Sequence, residues 1–196
     1  MKLESLLKKT LFASSLSFLL AGCGAPLIEP EEPTLEQQQE EELQVAAVCE
    51  EDPEVIEHAC FHGDFGPFMA VAAAPLGSTV IPNVNTPHTA FSITLPANTT
   101  YQYAGSVTFR PTETAEYAFF LSRRRAFRIY DGTTLVSREC SSLVDETSCG
   151  SLRRMVMADL EMGKVYRLEF KAVHAANASF NLVIEEAHHH EEAERR

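Results

Sequence analysis

The 196-residue chain has no tryptophan, and it has no lysine or arginine anywhere between Lys9 and Arg110. A nucleic-acid binder neutralises phosphates with a basic patch, so this gap and the net charge of −12 exclude that class. Its longest apolar stretch, residues 11–20, falls short of the ~20 residues that cross a bilayer as a helix. Enzyme signatures are also missing. There is no Gly-x-Ser-x-Gly elbow, no phosphate-cradling Gly-x-x-x-x-Gly-Lys-Ser/Thr loop, no Gly-x-Gly-x-x-Gly and no Cys-x-x-Cys. His190-Glu191 lacks the second histidine of a zincin helix, and Asp64 and Asp131 stand apart from other carboxylates in sequence. No catalytic residue and no cofactor is therefore expected. What remains is 45% hydrophobic, ample for a core in one domain of ordinary size.

The charge is unevenly placed. Residues 24–57 carry eleven Glu and one Asp and no basic residue, whereas residues 58–187 carry eleven basic and twelve acidic residues. The acidity thus belongs to one segment. Pro26, Pro30 and Pro33 favour extended backbone there, and like charges keep such a chain stretched. Thr34-Leu35-Glu36-Gln37 matches a capping box, so a short polar helix over residues 35–48 is expected within this tether.

From about residue 59 the pattern turns to period two. Phe91, Ile93 and Leu95 alternate with polar residues, as do Val107 and Phe109, then Phe127 and Ile129. Tyr117, Phe119 and Leu121 share a face, Tyr166, Leu168 and Phe170 give the cleanest alternation, and Phe180, Leu182 and Ile184 close the series. Each run reads as a strand with one apolar face. Asp131-Gly132 between two such runs is a two-residue hairpin signal. Seven or more short strands without a convincing helix predict an all-β fold, an antiparallel β-sandwich of jelly-roll-like kind.

Four features carry candidate chemistry. His58-Ala-Cys60-Phe-His62 places three possible ligands at i, i+2 and i+4, on one face if the segment is a strand, and His88 is a fourth donor. Cys60 has a competing use in a disulfide, and histidines where a domain begins ordinarily serve as hydrogen-bonding groups. The second feature is His188-His189-His190 among glutamates, a set that holds divalent transition metals loosely. A solvated terminus is the plainer reading. No metal site is therefore assigned. The third, Arg123-Arg124-Arg125, falls between two strands. It suits an anionic glycan or lipid headgroup, against the plainer reading of a solvated hairpin tip. The fourth is the cysteines. Cys49–Cys60 and Cys140–Cys149 are the expected disulfides, each a local staple of ~2–3 kcal/mol, with the cross-pairing left open.

Two resemblances add to this reading. Lys2, Lys8 and Lys9 precede the apolar stretch, which ends in Leu20-Ala21-Gly22-Cys23. This resembles the lipobox of bacterial lipoproteins. The resemblance implies cleavage after residue 22, lipidation of Cys23, and, with Gly24 in place of an aspartate, an outer-membrane destination. Several acyl chains would anchor such a protein permanently. Val107 to Leu121, with its Phe109-Arg-Pro turn, then Phe127 to Gly132 and Leu160 to Leu168, is similar to the central strands of pre-peptidase C-terminal-type and related jelly-roll domains. These are non-catalytic accessories of secreted bacterial proteins. The acidic cluster that some relatives use for calcium is replaced here by Arg123-Arg124-Arg125.

The expected organisation is a signal (1–22), an acidic tether (23–57), a β-sandwich (58–187) and a His/Glu-rich tail (188–196). The expected function is that of a lipid-anchored envelope protein, monomeric. Its non-catalytic module would bind a polysaccharide or a partner protein. The alternative is a transition-metal-binding lipoprotein using its histidine clusters.

Overall fold

The computed structural model describes residues 48–49, 53–123, 126–145 and 149–187. The Cys23 lipobox, residues 23–47 of the tether, Arg124, Arg125 and the tail with His188, His189 and His190 lie outside them. The elements in chain order are α1 (Pro53–Phe65), β1 (Phe68–Ala72), β2 (Ala90–Thr94), β3 (Ala97–Asn98), β4 (Gln102–Phe109), β5 (Ala115–Leu121), β6 (Ala126–Asp131), β7 (Thr134–Leu135), β8 (Cys140–Leu143), β9 (Arg154–Leu160), β10 (Tyr166–Ala172) and β11 (Ser179–Ala187).

The strands form two sheets, ordered β1-β2-β11-β5-β9-β8 and β3-β4-β10-β6-β7. Together they make an all-β sandwich, as the alternation predicts. The inward residues are those of the period-two runs. Phe91, Ile93, Phe119, Leu121, Phe127, Ile129, Leu168, Phe170 and Leu182 are all fully buried between the sheets. Aromatic rings tie the layers together: Phe119 meets Phe127 at 5.3 Å between centroids, and Phe170 meets Phe180 at 4.9 Å. Such pairs contribute beyond the area they bury. The β6–β7 hairpin forms, with its turn one residue later than expected. Asp131 pairs with Thr134, and Gly132 takes the left-handed conformation (φ +59°) that the turn demands. Lys164 bonds Glu161 Oε1 (2.7 Å) and Asp131 Oδ2 (2.9 Å), joining this turn to that between β9 and β10. Those hydrogen bonds, Glu161's first, hold its pKa above the usual lysine range.

Four expectations are corrected. First, β1 and β2 are parallel, with Phe68 opposite Ala90, so the sandwich is not wholly antiparallel. The connection between them crosses to the other sheet, where Ala74 bridges Ser106 and Asn83 bridges Thr108. A parallel pair needs a long crossover of this kind.

Second, residues 53–65 are helical. Pro53 suits the first helical position and Glu54 the positive end of the helix dipole. Val55, Ile56, Ala59 and Cys60 make one buried stripe. Gly66 closes the helix: its N–H donates to the His62 carbonyl, and its φ of +80° is one that side-chain-bearing residues rarely adopt. The domain therefore begins before residue 58, and Cys49 already lies in its core.

Third, β5 is not half-buried. Tyr117, Phe119 and Leu121 face the other sheet, while Ala118 and Phe120 are fully buried on the outer face. The apolar stripe of α1 covers that face, on which Met155, Met157 and Val183 of the neighbouring strands flank Ala118 and Phe120.

Fourth, the disulfides are Cys49–Cys140 and Cys60–Cys149, the cross-pairing rather than the local staples. Their Cα atoms are 5.0 and 5.3 Å apart. The reason is the helix. Cys60 lies in its buried stripe and Cys49 just before it, so both face the β8–β9 side of the sheet.

Candidate metal centre

The six-stranded sheet has a gap that creates the site. β2 pairs with β11 as far as Phe91 and Leu182. Beyond that point, residues 183–187 of β11 pair with β5. Around the edge so exposed lie α1 and the loop before β2. They bring His58 and His62 from α1, His88 from the loop and Glu185 from β11 together. His58 and His62 are one helical turn apart, so their rings share a face, with centroids 4.6 Å apart. Cys60 points elsewhere, into its disulfide with Cys149, and leaves the expected ligand set. His88 replaces it, its ring 5.2 Å from that of His58 and 5.5 Å from that of His62. The backbone of His88 is left-handed, at φ 51°. Residues held in this region cluster at functional sites.

One nitrogen from each of the three rings lies within 4.8 Å of the others. The hydrogen bonds on the far sides of two rings decide what those nitrogens are. His58 Nδ1 is 3.0 Å from Glu185 Oε2, and His62 Nδ1 is 3.0 Å from the Gly66 carbonyl oxygen. A carboxylate and a carbonyl only accept, so each Nδ1 carries the proton. Nε2 is then the nitrogen that each ring turns toward the other. These two Nε2 atoms face one another at 3.2 Å. Two lone pairs at that distance repel unless a proton or a cation lies between them. Two nitrogens each about 2.0–2.1 Å from a tetrahedral Zn²⁺ are ~3.3 Å apart, which this spacing matches. A three-imidazole set with His88 would need the spacing of up to 4.8 Å within the cluster to close to ~3.3 Å.

Glu185 is the outer partner of His58. Its side chain is 10% exposed, and its buried Oε1 has no hydrogen-bond partner among the described residues. A carboxylate behind a metal-bound histidine fixes the tautomer and raises ligand basicity. Glu185→Gln is expected to weaken Zn²⁺ binding about 10–100-fold with the fold intact. Competition with a chromophoric chelator measures it; an unchanged affinity would remove Glu185 from the site.

A cleft of about 740 Å³ opens on this cluster. His58, His88 and Glu185 line it, while His62 is buried behind them. Arg110, Phe109, Tyr117 and Glu186 also line it. The sequence singles out His58, His62 and His88 but carries no signal that Glu185, 127 residues beyond His58, joins them. Arg123 is exposed after β5, as a surface cation should be. Arg154, opposite Leu121 in the register of β5 and β9, is buried with Nε donating to Ser141 Oγ.

No family model and no curated protein matches the chain. Among solved structures, a β-glucosidase from Kluyveromyces marxianus in complex with glucose is similar at 17% identity and a TM-score of 0.31. The likeness covers 44% of this chain and 10% of the enzyme's. The selenomethionine-labelled form of that enzyme gives a TM-score of 0.29 over the same shares. So slight a likeness assigns neither activity nor ligand.

Proposed function

We propose that the protein is a lipid-anchored envelope module that binds a late first-row divalent metal ion through His58, His62 and His88. The observation that carries this is the pair of Nε2 atoms 3.2 Å apart, each on a ring whose Nδ1 is already committed as a donor. Imidazole donors suit Zn²⁺, Cu²⁺ and Ni²⁺. Two long-range disulfides fit an oxidising compartment and so support the export that the lipobox implies. The acidic tether then serves as the spacer between the lipid and the sandwich.

Metal addition tests the reading. At a free Zn²⁺ concentration 100 times Kd, binding to the folded state alone stabilises by about 2.7 kcal/mol, a rise in Tm of roughly 5–10 °C. Binding also releases protons if the facing nitrogens share one beforehand. Calorimetry in buffers of different ionisation enthalpy reads that release. A Tm unmoved by Zn²⁺, Cu²⁺ and Ni²⁺ alike would sink the proposal.

A further inference from the structure

We infer that two copies of the chain pair through β1, edge to edge and antiparallel about a two-fold axis at Ala70, in place of the expected monomer. β1 is an end strand of the six-stranded sheet. Ala90 N–H donates to the Pro67 carbonyl and Ala73 N–H to the Thr94 carbonyl, so the odd-numbered residues turn their backbone groups toward β2. Those of Phe68, Ala70 and Ala72 therefore point away from the sheet, and all three residues are exposed. Sheet ends left open in this way pair with other strands unless something guards them. β3 and β7 are only two residues long, and Cys140 of β8 is held by its disulfide. β1, Phe68–Ala72, has neither a charge nor a proline to guard it.

The surroundings of β1 suit a second copy. Residues 65–109 contain no Asp, Glu, Lys or Arg, so two acidic chains can meet here without like-charge repulsion. Phe61, Phe65, Phe68 and Met69 are 56%, 73%, 54% and 41% exposed. The Phe61 and Phe65 rings are 5.4 Å apart, and the Phe68 ring lies against Gly66, next in the chain. At ~200 Å² for a large side chain, the four offer roughly 450 Å² per copy, about 900 Å² per pair. The paired backbone, Ala70 and Ala72 carry this past the ~1,000 Å² that a specific interface needs. The strand is also self-complementary. With Ala70 opposite its own copy, Phe68 faces Ala72 of the second copy and Met69 faces Val71, a larger side chain against a smaller one each time. Only this register places all three outward-pointing residues in hydrogen-bonded pairs.

A segment of the same chain is the rival occupant. The uncharged run 43–48 cannot serve, because Cys49 is bridged to Cys140 on β8, at the opposite end of the sheet. Five strand spacings of ~4.8 Å set the two ends ~24 Å apart, whereas six extended residues span only about 20 Å. Residues 36–42 reach farther but carry four glutamates, which would lie against Phe68 and Met69.

Sedimentation equilibrium of the full chain without added metal is expected to show reversible dimers, half formed at micromolar concentration. Ala70→Lys sets two like charges on the two-fold axis and should weaken association at least about tenfold. Near-UV circular dichroism checks that this exposed substitution keeps the fold. Two cysteine variants read the register independently. Directly opposed residues of a hydrogen-bonded pair have Cα atoms ~5.5 Å apart, within disulfide range. Ala70→Cys is therefore expected to give a covalent dimer on mild oxidation. Ala72→Cys, whose two copies would lie more than about 10 Å apart, is expected to give none. A chain that stays monomeric up to ~1 mM, or equal cross-linking by the two cysteine variants, overturns the inference. So does hydrogen-exchange protection of the Phe68, Ala70 and Ala72 amides in a monomer, which would place a segment of the same chain on β1. Each of these results leaves the proposed metal site standing, because none of its histidines takes part in the pairing.

Discussion

Replacing Cys60 and Cys149 together by alanine is expected to lower the unfolding free energy by about 3 kcal/mol. The bridge spans 89 residues of sequence, but with Cys49–Cys140 intact the ring it closes runs only through residues 49–60 and 140–149, roughly 20 residues. The loss is a large fraction of the 5–15 kcal/mol typical of a folded domain. It also reaches the proposed metal site. Cys60 sits between His58 and His62, so its bridge to Cys149 fixes the helix that carries two of the three proposed ligands. Zn²⁺ affinity should therefore fall with stability. The Cys49–Cys140 pair spans 91 residues and serves as the control. Its removal should cost similar stability, with a smaller effect on metal, because Cys49 lies outside the helix. Urea unfolding with and without Zn²⁺ separates the two effects. A loss below about 1.5 kcal/mol for the Cys60 pair would show that packing alone holds α1 to the sheet.

His62→Ala is expected to weaken Zn²⁺ binding by more than about 100-fold, since even an outer partner of a ligand is worth about 10–100-fold. His62 is the buried member of the set, with Nδ1 anchored to the Gly66 carbonyl. Its loss removes both a ligand and the wall behind the metal. His88→Ala tests the same site without touching the core, because His88 is exposed. The contrasting variant replaces His188, His189 and His190 together. It is expected to leave tight binding unchanged, since the proposed ligand set is drawn wholly from His58, His62 and His88. Should the tail variant lose affinity and His62→Ala keep it, the metal would belong to the tail.

The strands were legible because burial on one face leaves a period-two trace. Tyr166, Leu168 and Phe170 show it plainly, and they are buried at 3%, 0% and 0% exposure. The helix was harder to see. Its signals are a proline at the start, four apolar residues and a closing glycine, and the alternation of His58, Cys60 and His62 imitates a strand. Only a helix explains why His58 and His62 share a face and Cys60 leaves it.

The sequence by itself determined the two-sheet architecture, the pairing of the cysteines into disulfides, the segment that carries the acidity, and the three histidines worth following. These are local matters: alternation, composition and residue type are written along the chain. Tertiary structure decided which cysteines pair, because the covering helix carries Cys60 to the far side of the sheet. It also decided that His88 and Glu185, distant in sequence, meet His58 and His62. That meeting depends on where β2 stops pairing with β11, and a strand's end is set by its neighbours in space.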